Sequence, residues 1–459
     1  MADAIRWNRD SDGVVTLTID DPDQRVNTLN ANFTESFAST LDRLERERVG
    51  ISGVILRSGK DSFLAGADLK RLLAVQPADR DAFVADVQLR KSRMRRLETL
   101  GRPVVAVLTG PAFGGGFELA LSCHRRIAVR DRRVSVGLPE ISLGLLPGSG
   151  GITRSVRLLG LEAVLGPVLL SGASFSAEEA QAFGLIDELV ASEDEAIDLA
   201  RNWILANPTA TQPWDRDGDR QRAVSAALPA QATAAGRQIV RIAALAAIGD
   251  FDEAQRQESE GLGDLVVSAE AKRTIQVTFF DTARLRGRLR TVGRSTPTDV
   301  VLRAADEQAA KLLAQTEPEK LVAGPDVPPK SGQCEVTVFG RPTGAELGPT
   351  EIRIHPDRYT AGGIVVEYRE VNEQVVGAVA RLARAGVVAI PVAAGSFADA
   401  VTAAVGEGDE LELARAAVHH RDAGLLAYPE DLAVASVRLL GLPADTGGAE
   451  QLIADSKGT

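Results

Sequence analysis

A chain of 459 residues with 44% hydrophobic content is long enough for roughly two to four packed units. Its formal net charge of −11 excludes general nucleic-acid binding, which needs a basic footprint, but leaves room for an anionic ligand at a locally basic mouth. Two cysteines, Cys123 and Cys334, exclude a disulfide framework and a CxxC metal site and point to a reduced, cytoplasmic setting.

The N-terminus, MADAIRWNRDSDG, carries charge within its first ten residues and has no apolar core of a signal peptide. The longest runs free of Asp, Glu, Lys and Arg, residues 103–117 and 163–177, are 15 residues each and hold glycines, too short for a bilayer crossing. Residues 14–19 (VVTLTI), 53–57 (GVILR) and 104–109 (VVAVLT) read as strands, separated by helical spacing over 31–47 and 79–99. That is an α/β rhythm. Between them, residues 62–70 (SFLAGADLK) read as a short apolar strand running into a tight turn with an exposed N–H.

Residues 110–121, GPAFGGGFELAL, follow the third strand. Three consecutive glycines let backbone N–H groups approach a ligand, and the helical spacing that follows puts Glu118 in a first turn. There the helix dipole favours an ionised carboxylate, as a base that takes a proton from water requires. Residues 136–151, VGLPEISLGLLPGSGG, place Glu140 beside Pro139 in a second glycine-rich setting. Either glutamate alone is ordinarily a dipole partner or the start of a turn. The exposed turn at 62–70 makes a third element and changes that balance. His124, His419 and His420 have no metal-ligand spacing, so no metal site is expected.

Together these three segments resemble the crotonase superfamily, specifically enoyl-CoA hydratases, whose fold is a spiral of ββα units. The resemblance implies an oxyanion hole at the N–H groups of Ala67 and Gly115, with Ala65, Gly66, Asp68, Gly114 and Gly116 around the substrate. It further implies that Glu118 activates water for attack at the β-carbon and that Glu140 delivers a proton to the α-carbon, with double-bond isomerisation as a side activity. Two N–H donors aimed at the thioester oxygen suit this chemistry, because negative charge develops there during hydration. The substrate is then an acyl-CoA thioester. Arg25, Lys60 and Lys70 lie near these segments without being assigned to its phosphates.

The hydratase-like core is expected over residues 1–206. Residues 207–290, with NPTATQPWDRD and a charged, alanine-rich helical stretch, resemble the helical extension and linker helix of α-subunits of multifunctional fatty-acid oxidation complexes. In those proteins a 3-hydroxyacyl-CoA dehydrogenase follows. Residues 291–459 resemble a truncated, mostly helical remnant of it, entered through a Pro/Gly/Thr-rich linker and one helix near 298–316. No G-x-G-x-x-G turn follows a strand here, so neither a Rossmann motif nor NAD binding is expected, and no other cofactor is implied. His355 and Glu367 match the family's catalytic dyad. Pro356, Asp357 and Arg358 replace the residues that normally follow the histidine, and GSFADAV at 395–401 lacks the usual asparagine, so the dyad reads as vestigial. The helical apolar spacing of Leu411, Leu413, Val418, Leu425 and Leu426 suits packing, within the chain or against a 3-ketoacyl-CoA thiolase such as the resemblance implies. The expected activity is hydration of enoyl-CoA in β-oxidation. The alternative is a non-catalytic scaffold that holds another acyl-CoA enzyme.

Overall fold

The computed structural model describes residues 3–216, 229–231, 233–292, 300–304, 334–339, 351–356, 364–369, 375, 379, 387–393, 396–405, 408–423 and 425–456. They form two compact units, Met1–Ala271 and Lys272–Thr459.

In the first unit the strands are β1 (Ile5–Arg9), β2 (Val14–Ile19), β3 (Gly53–Ser58), β4 (Val104–Leu108), β5 (Ala112–Phe113), β6 (Arg125–Val129), β7 (Ser135–Gly137), β8 (Ser174–Ser176) and β9 (Glu188–Val190). A six-stranded sheet runs β1-β2-β3-β4-β6-β9, antiparallel only between β1 and β2, while β5, β7 and β8 make a small second sheet. All five residues of β4 are buried, the pattern of a parallel strand covered on both faces. Helix Glu193–Ala206 covers one face, setting Ala196, Ala200 and Ile204 against Val14, Ile55, Val105, Val107, Ile127 and Val190. Gly53 permits that closeness, since an added Cβ would lie 2.4 Å from Ile204 Cγ2.

Helix Ala31–Glu47 starts where the Asn30 side chain accepts the Phe33 N–H at 2.8 Å. Phe33, Phe37, Leu41 and Leu44 recur at helical spacing and are buried, each such side chain contributing about 1.5–3 kcal/mol of apolar transfer. The strands and helices expected over 14–19, 31–47, 53–57, 79–99 and 104–109 are all present within one residue of those bounds. Residues 62–70 form no full strand. Leu64 and Ala65 make single bridges to Ala112 and Thr28, and Asp68 then caps helix Leu69–Ala74 by accepting the Lys70 N–H at 2.9 Å.

The segment after residue 206 is tied down by specific contacts. Gln212 donates to the Ser122 carbonyl at 3.1 Å, and the Trp214 ring stacks on Phe251 with centroids 5.5 Å apart. Phe251 opens helix Phe251–Val266, capped by Asp250 accepting the Glu253 N–H at 2.9 Å. This helix packs closely on helix Arg80–Glu98, because an added Cβ on Gly263 would lie only 2.3 Å from Val84 Cγ2. Among the described residues no helix is long and apolar enough to cross a membrane.

The second unit holds a five-stranded sheet, in chain order β10 (Val300–Ala304), β11 (Cys334–Phe339), β12 (Glu351–Pro356), β13 (Ile364–Tyr368) and β14 (Val388–Pro391). Only β12 and β13 pair antiparallel. Residues 300–304 are therefore strand and not part of the helix expected near 298–316. The run Val300-Val301-Leu302 favours a pleated, partnered surface over a helix. Residues 305–316, Asp357, Arg358 and Gly395 lie outside the described residues.

Helices Phe397–Val405, Glu410–Asp422, Leu432–Arg438 and Ala449–Ser456 agree with a helical C-terminal part. Val365, Ile390, Phe397, Val401 and Leu426 belong to this unit's core, with Leu413, Val418 and Leu425 packed against it. Four of the five apolar residues singled out in the sequence thus serve internal packing.

Candidate active site

Helix Gly115–Leu121 begins after Gly114, whose φ of 52° and ψ of −129° suit a residue without a Cβ. An added Cβ on Gly114 would lie 2.6 Å from Glu140 Oε1, and one on Gly116 would lie 1.9 Å from the Leu64 carbonyl oxygen. The glycines thus let the helix start press between the turn at 64–66 and Glu140. Gly66 abuts the same start, since its added Cβ would come 3.3 Å from the Gly115 nitrogen. Gly115 is the first helical residue, so its N–H has no partner within the helix. The Ala67 N–H makes no hydrogen bond among the described residues, while the neighbouring Ala65 N–H donates to the Asn27 carbonyl at 2.8 Å.

Glu118 is 2% exposed. Its Oε1 accepts the N–H groups of Ser149 at 2.7 Å and Gly151 at 2.8 Å, at the start of helix Gly151–Leu159. The carboxylate is therefore steadied by a second helix N-terminus, and the expectation that its own helix keeps it ionised needs correcting. Burial pushes the Glu118 carboxyl up to about 7, with Glu258 adding to the rise and the Gly151 and Ser149 N–H groups opposing it. Such a group exchanges protons near neutral pH.

Glu140 projects from the short 3-10 turn Pro139–Leu143, which Gly144 closes with a φ of 69°. Its Oε2 is buried and has no hydrogen-bond partner. Burial, and then the Glu118 charge, hold this carboxyl well above the usual carboxylate range. The two neighbouring carboxyls thus differ in surroundings, Glu118 held by two N–H donors and Glu140 with an oxygen that has no partner.

The sequence profile described as enoyl-CoA hydratase/isomerase matches residues 9–242, just over half of the chain. The chain belongs to the enoyl-CoA hydratase/isomerase family. Within the wider crotonase superfamily it is similar to the fatty acid oxidation complex subunit alpha of Aliivibrio fischeri, 39% identical over 188 residues, covering 41% of this chain and 27% of that protein. The subunit of the same name from Shewanella loihica is 41% identical over 184 residues, covering 40% of this chain and 26% of that protein. The match spans about a quarter of the length of these relatives. A solved enoyl-CoA hydratase from Bacillus halodurans aligns with 60% of this chain and 99% of its own at 25% identity and a TM-score of 0.45.

In the string Gly148-Ser149-Gly150-Gly151, the N–H groups of Ser149 and Gly151 donate to the Glu118 carboxylate. Two side chains that the sequence reading missed, Lys91 and Glu258, lie behind Glu118. His124 is a structural residue, its Nδ1 accepting the Val104 N–H at 3.0 Å and burial pushing its pKa down to about 4. Lys60 is tied to the carbonyls of Asp21 and Gln24. No metal-holding cluster occurs among the described residues.

In the second unit, His355 Nε2 and Glu367 Oε2 are 2.8 Å apart on the adjacent strands β12 and β13. Ser396 donates to the same oxygen and the Ala398 N–H donates to Oε1 at 3.0 Å. Burial works against the Glu367 charge, but the bonds from His355, Ser396 and Ala398 hold the carboxyl below the usual range. Buried Glu367 thus accepts from Ser396 and Ala398 and pairs with half-buried His355.

Proposed function

We propose that the protein is an enoyl-CoA hydratase that adds water across trans-2-enoyl-CoA thioesters in fatty-acid β-oxidation. The carrying observation is the pair of carboxyls in contrasting surroundings, Glu118 held by two N–H donors and Glu140 with a buried oxygen lacking a partner, beside N–H groups of Ala67 and Gly115 that make no hydrogen bond among the described residues. The thioester oxygen sits at the N–H groups of Ala67 and Gly115, which stabilise the charge that develops there. Ala65, Gly66, Asp68, Gly114 and Gly116 shape the acyl-CoA site. Glu118 takes a proton from water as the oxygen attacks the β-carbon, and Glu140 gives its proton to the α-carbon. The same Glu140 supports double-bond isomerisation as a side activity.

The test is loss of the enoyl-thioester absorbance when purified full-length protein meets crotonyl-CoA. No loss with short or medium chains would favour the scaffold reading. The rate should also rise with pH through about 7, because Glu118 must be ionised to act as a base. A rate independent of pH between 5 and 9 would count against Glu118 as that base.

The names of the relatives support a place as an α-type subunit of a fatty-acid oxidation complex; a cytoplasmic setting and a 3-ketoacyl-CoA thiolase as partner complete this reading. Residues 291–459 then act in docking and not in hydride transfer, with His355 and Glu367 as vestigial groups. Calorimetry should detect no micromolar NAD binding, since a phosphate-cradling glycine turn after a strand is missing from the sequence. Truncation after residue 290 should abolish co-purification with the thiolase while hydration persists. Retention of the partner by the truncated chain would remove the docking role.

A further inference from the structure

Helix Phe251–Val266 lies beyond the residues that the family profile matches, yet it places a third carboxylate behind Glu118. Glu258 is fully buried. Its Oε1 accepts the Thr153 N–H at 2.5 Å and the Thr153 hydroxyl, and its Oε2 lies 3.6 Å from Lys91 Nζ. Lys91, from helix Arg80–Glu98, also donates to the Gln255 carbonyl. Thr153 belongs to the first turn of the helix whose opening Gly151 N–H binds Glu118. One helix start therefore holds both carboxylates, with the ammonium beyond them.

A buried ion pair that merely joins two helices explains little here. Desolvation generally offsets what such a pair gains, and apolar residues of similar volume pack as well or better. Its position behind Glu118 is the distinguishing feature. The negative charge of Glu258 raises the Glu118 carboxyl, and Lys91 lowers it. Burial pushes Lys91 itself down to about 8, with Glu258 opposing that fall.

We propose that Lys91 and Glu258 are a positioning pair whose opposed charges set the pH at which Glu118 becomes a base. The inference deepens the hydratase reading and rests on it. The other charged or titratable groups facing Glu118 are Arg90 on the helix of Lys91, Arg154 on helix Gly151–Leu159, and Glu140 on its turn. Arg154 is engaged by Glu98, with Nε 2.6 Å from Oε1. Glu140 and Arg154 also feel the Glu258 charge, so the acidic limb, which reports Glu118, is the one to follow.

The experiment measures kcat/KM for crotonyl-CoA against pH in the full-length chain, in Glu258→Gln, in Lys91→Met and in the double variant. The acidic limb should move down by about one pH unit in Glu258→Gln and up by about one in Lys91→Met. The double variant should return it close to the wild-type position. A uniform loss of rate with the limb unmoved, or shifts in the same direction in both single variants, would overturn the proposal. A carboxyl-13C titration of the wild-type chain, with the Glu118 signal assigned through Glu118→Gln, gives a readout that needs neither the folding of those variants nor activity. The signal should show a second inflection near pH 8, where Lys91 loses its charge. A single-step titration would sink the pair even if hydration is normal. A wild-type chain that shows two inflections but hydrates nothing would instead sink the hydratase reading.

Discussion

Glu118→Gln and Glu140→Gln are each expected to lower kcat for crotonyl-CoA hydration by roughly 10²–10⁴-fold, the usual contribution of a positioned acid or base. Their effects on stability should differ. Glu118 makes two short hydrogen bonds through Oε1, so glutamine fits only with its carbonyl oxygen turned toward the Ser149 and Gly151 N–H groups. Glu140 has a buried Oε2 without a partner and a carboxyl that burial raises well above the usual range. Its amide variant should melt at or above the wild-type temperature, because no satisfied bond at that oxygen is lost. Turnover near wild type in both variants would remove the two-carboxyl mechanism, whereas loss confined to one would show which proton transfer limits the rate.

Much of this site was legible because glycines carry it. The run 114–116 and the string 148–151 mark places where backbone must approach backbone or carboxylate, and the structure uses them so. The second string stood out only as part of a glycine-rich segment around Glu140, since the group it binds is a side chain some thirty positions away in sequence.

Lys91 and Glu258 escaped for a different reason. In helix Arg80–Glu98 the residues Val84, Val87, Lys91, Met94 and Glu98 alternate at spacings of three and four along the buried face. Two charges within that stripe were the available signal, and their partners come from helices far along the chain. The second unit was harder to read. Its strands β10 and β11 sit amid Pro-, Gly- and Thr-rich sequence, and parallel pairing between segments some thirty residues apart leaves no local periodicity.

Arg154→Met is expected to be among the most destabilising single changes in the first unit, by about 3–5 kcal/mol, the range for stranding one member of a buried ion pair. Arg154 is 1% exposed and grips fully buried Glu98 through two contacts, Nε to Oε1 at 2.6 Å and Nη2 to Oε2 at 3.2 Å. Arg95 reaches Glu98 at 3.3 Å but is itself shared with Asp215, so it compensates only in part. Adding Glu98→Gln should recover much of the loss, because neither charge is then left alone in the interior. The site feels the same change. Arg154 Nη1 donates to the Ser149 carbonyl at 3.1 Å, and the Ser149 N–H is one of the two groups that hold Glu118. The double variant should therefore regain stability yet keep a lowered kcat. Urea unfolding of the three chains, followed by crotonyl-CoA kinetics on those that stay folded, decides the matter. An unchanged unfolding midpoint in Arg154→Met would show that the Arg154–Glu98 pair adds no net stability.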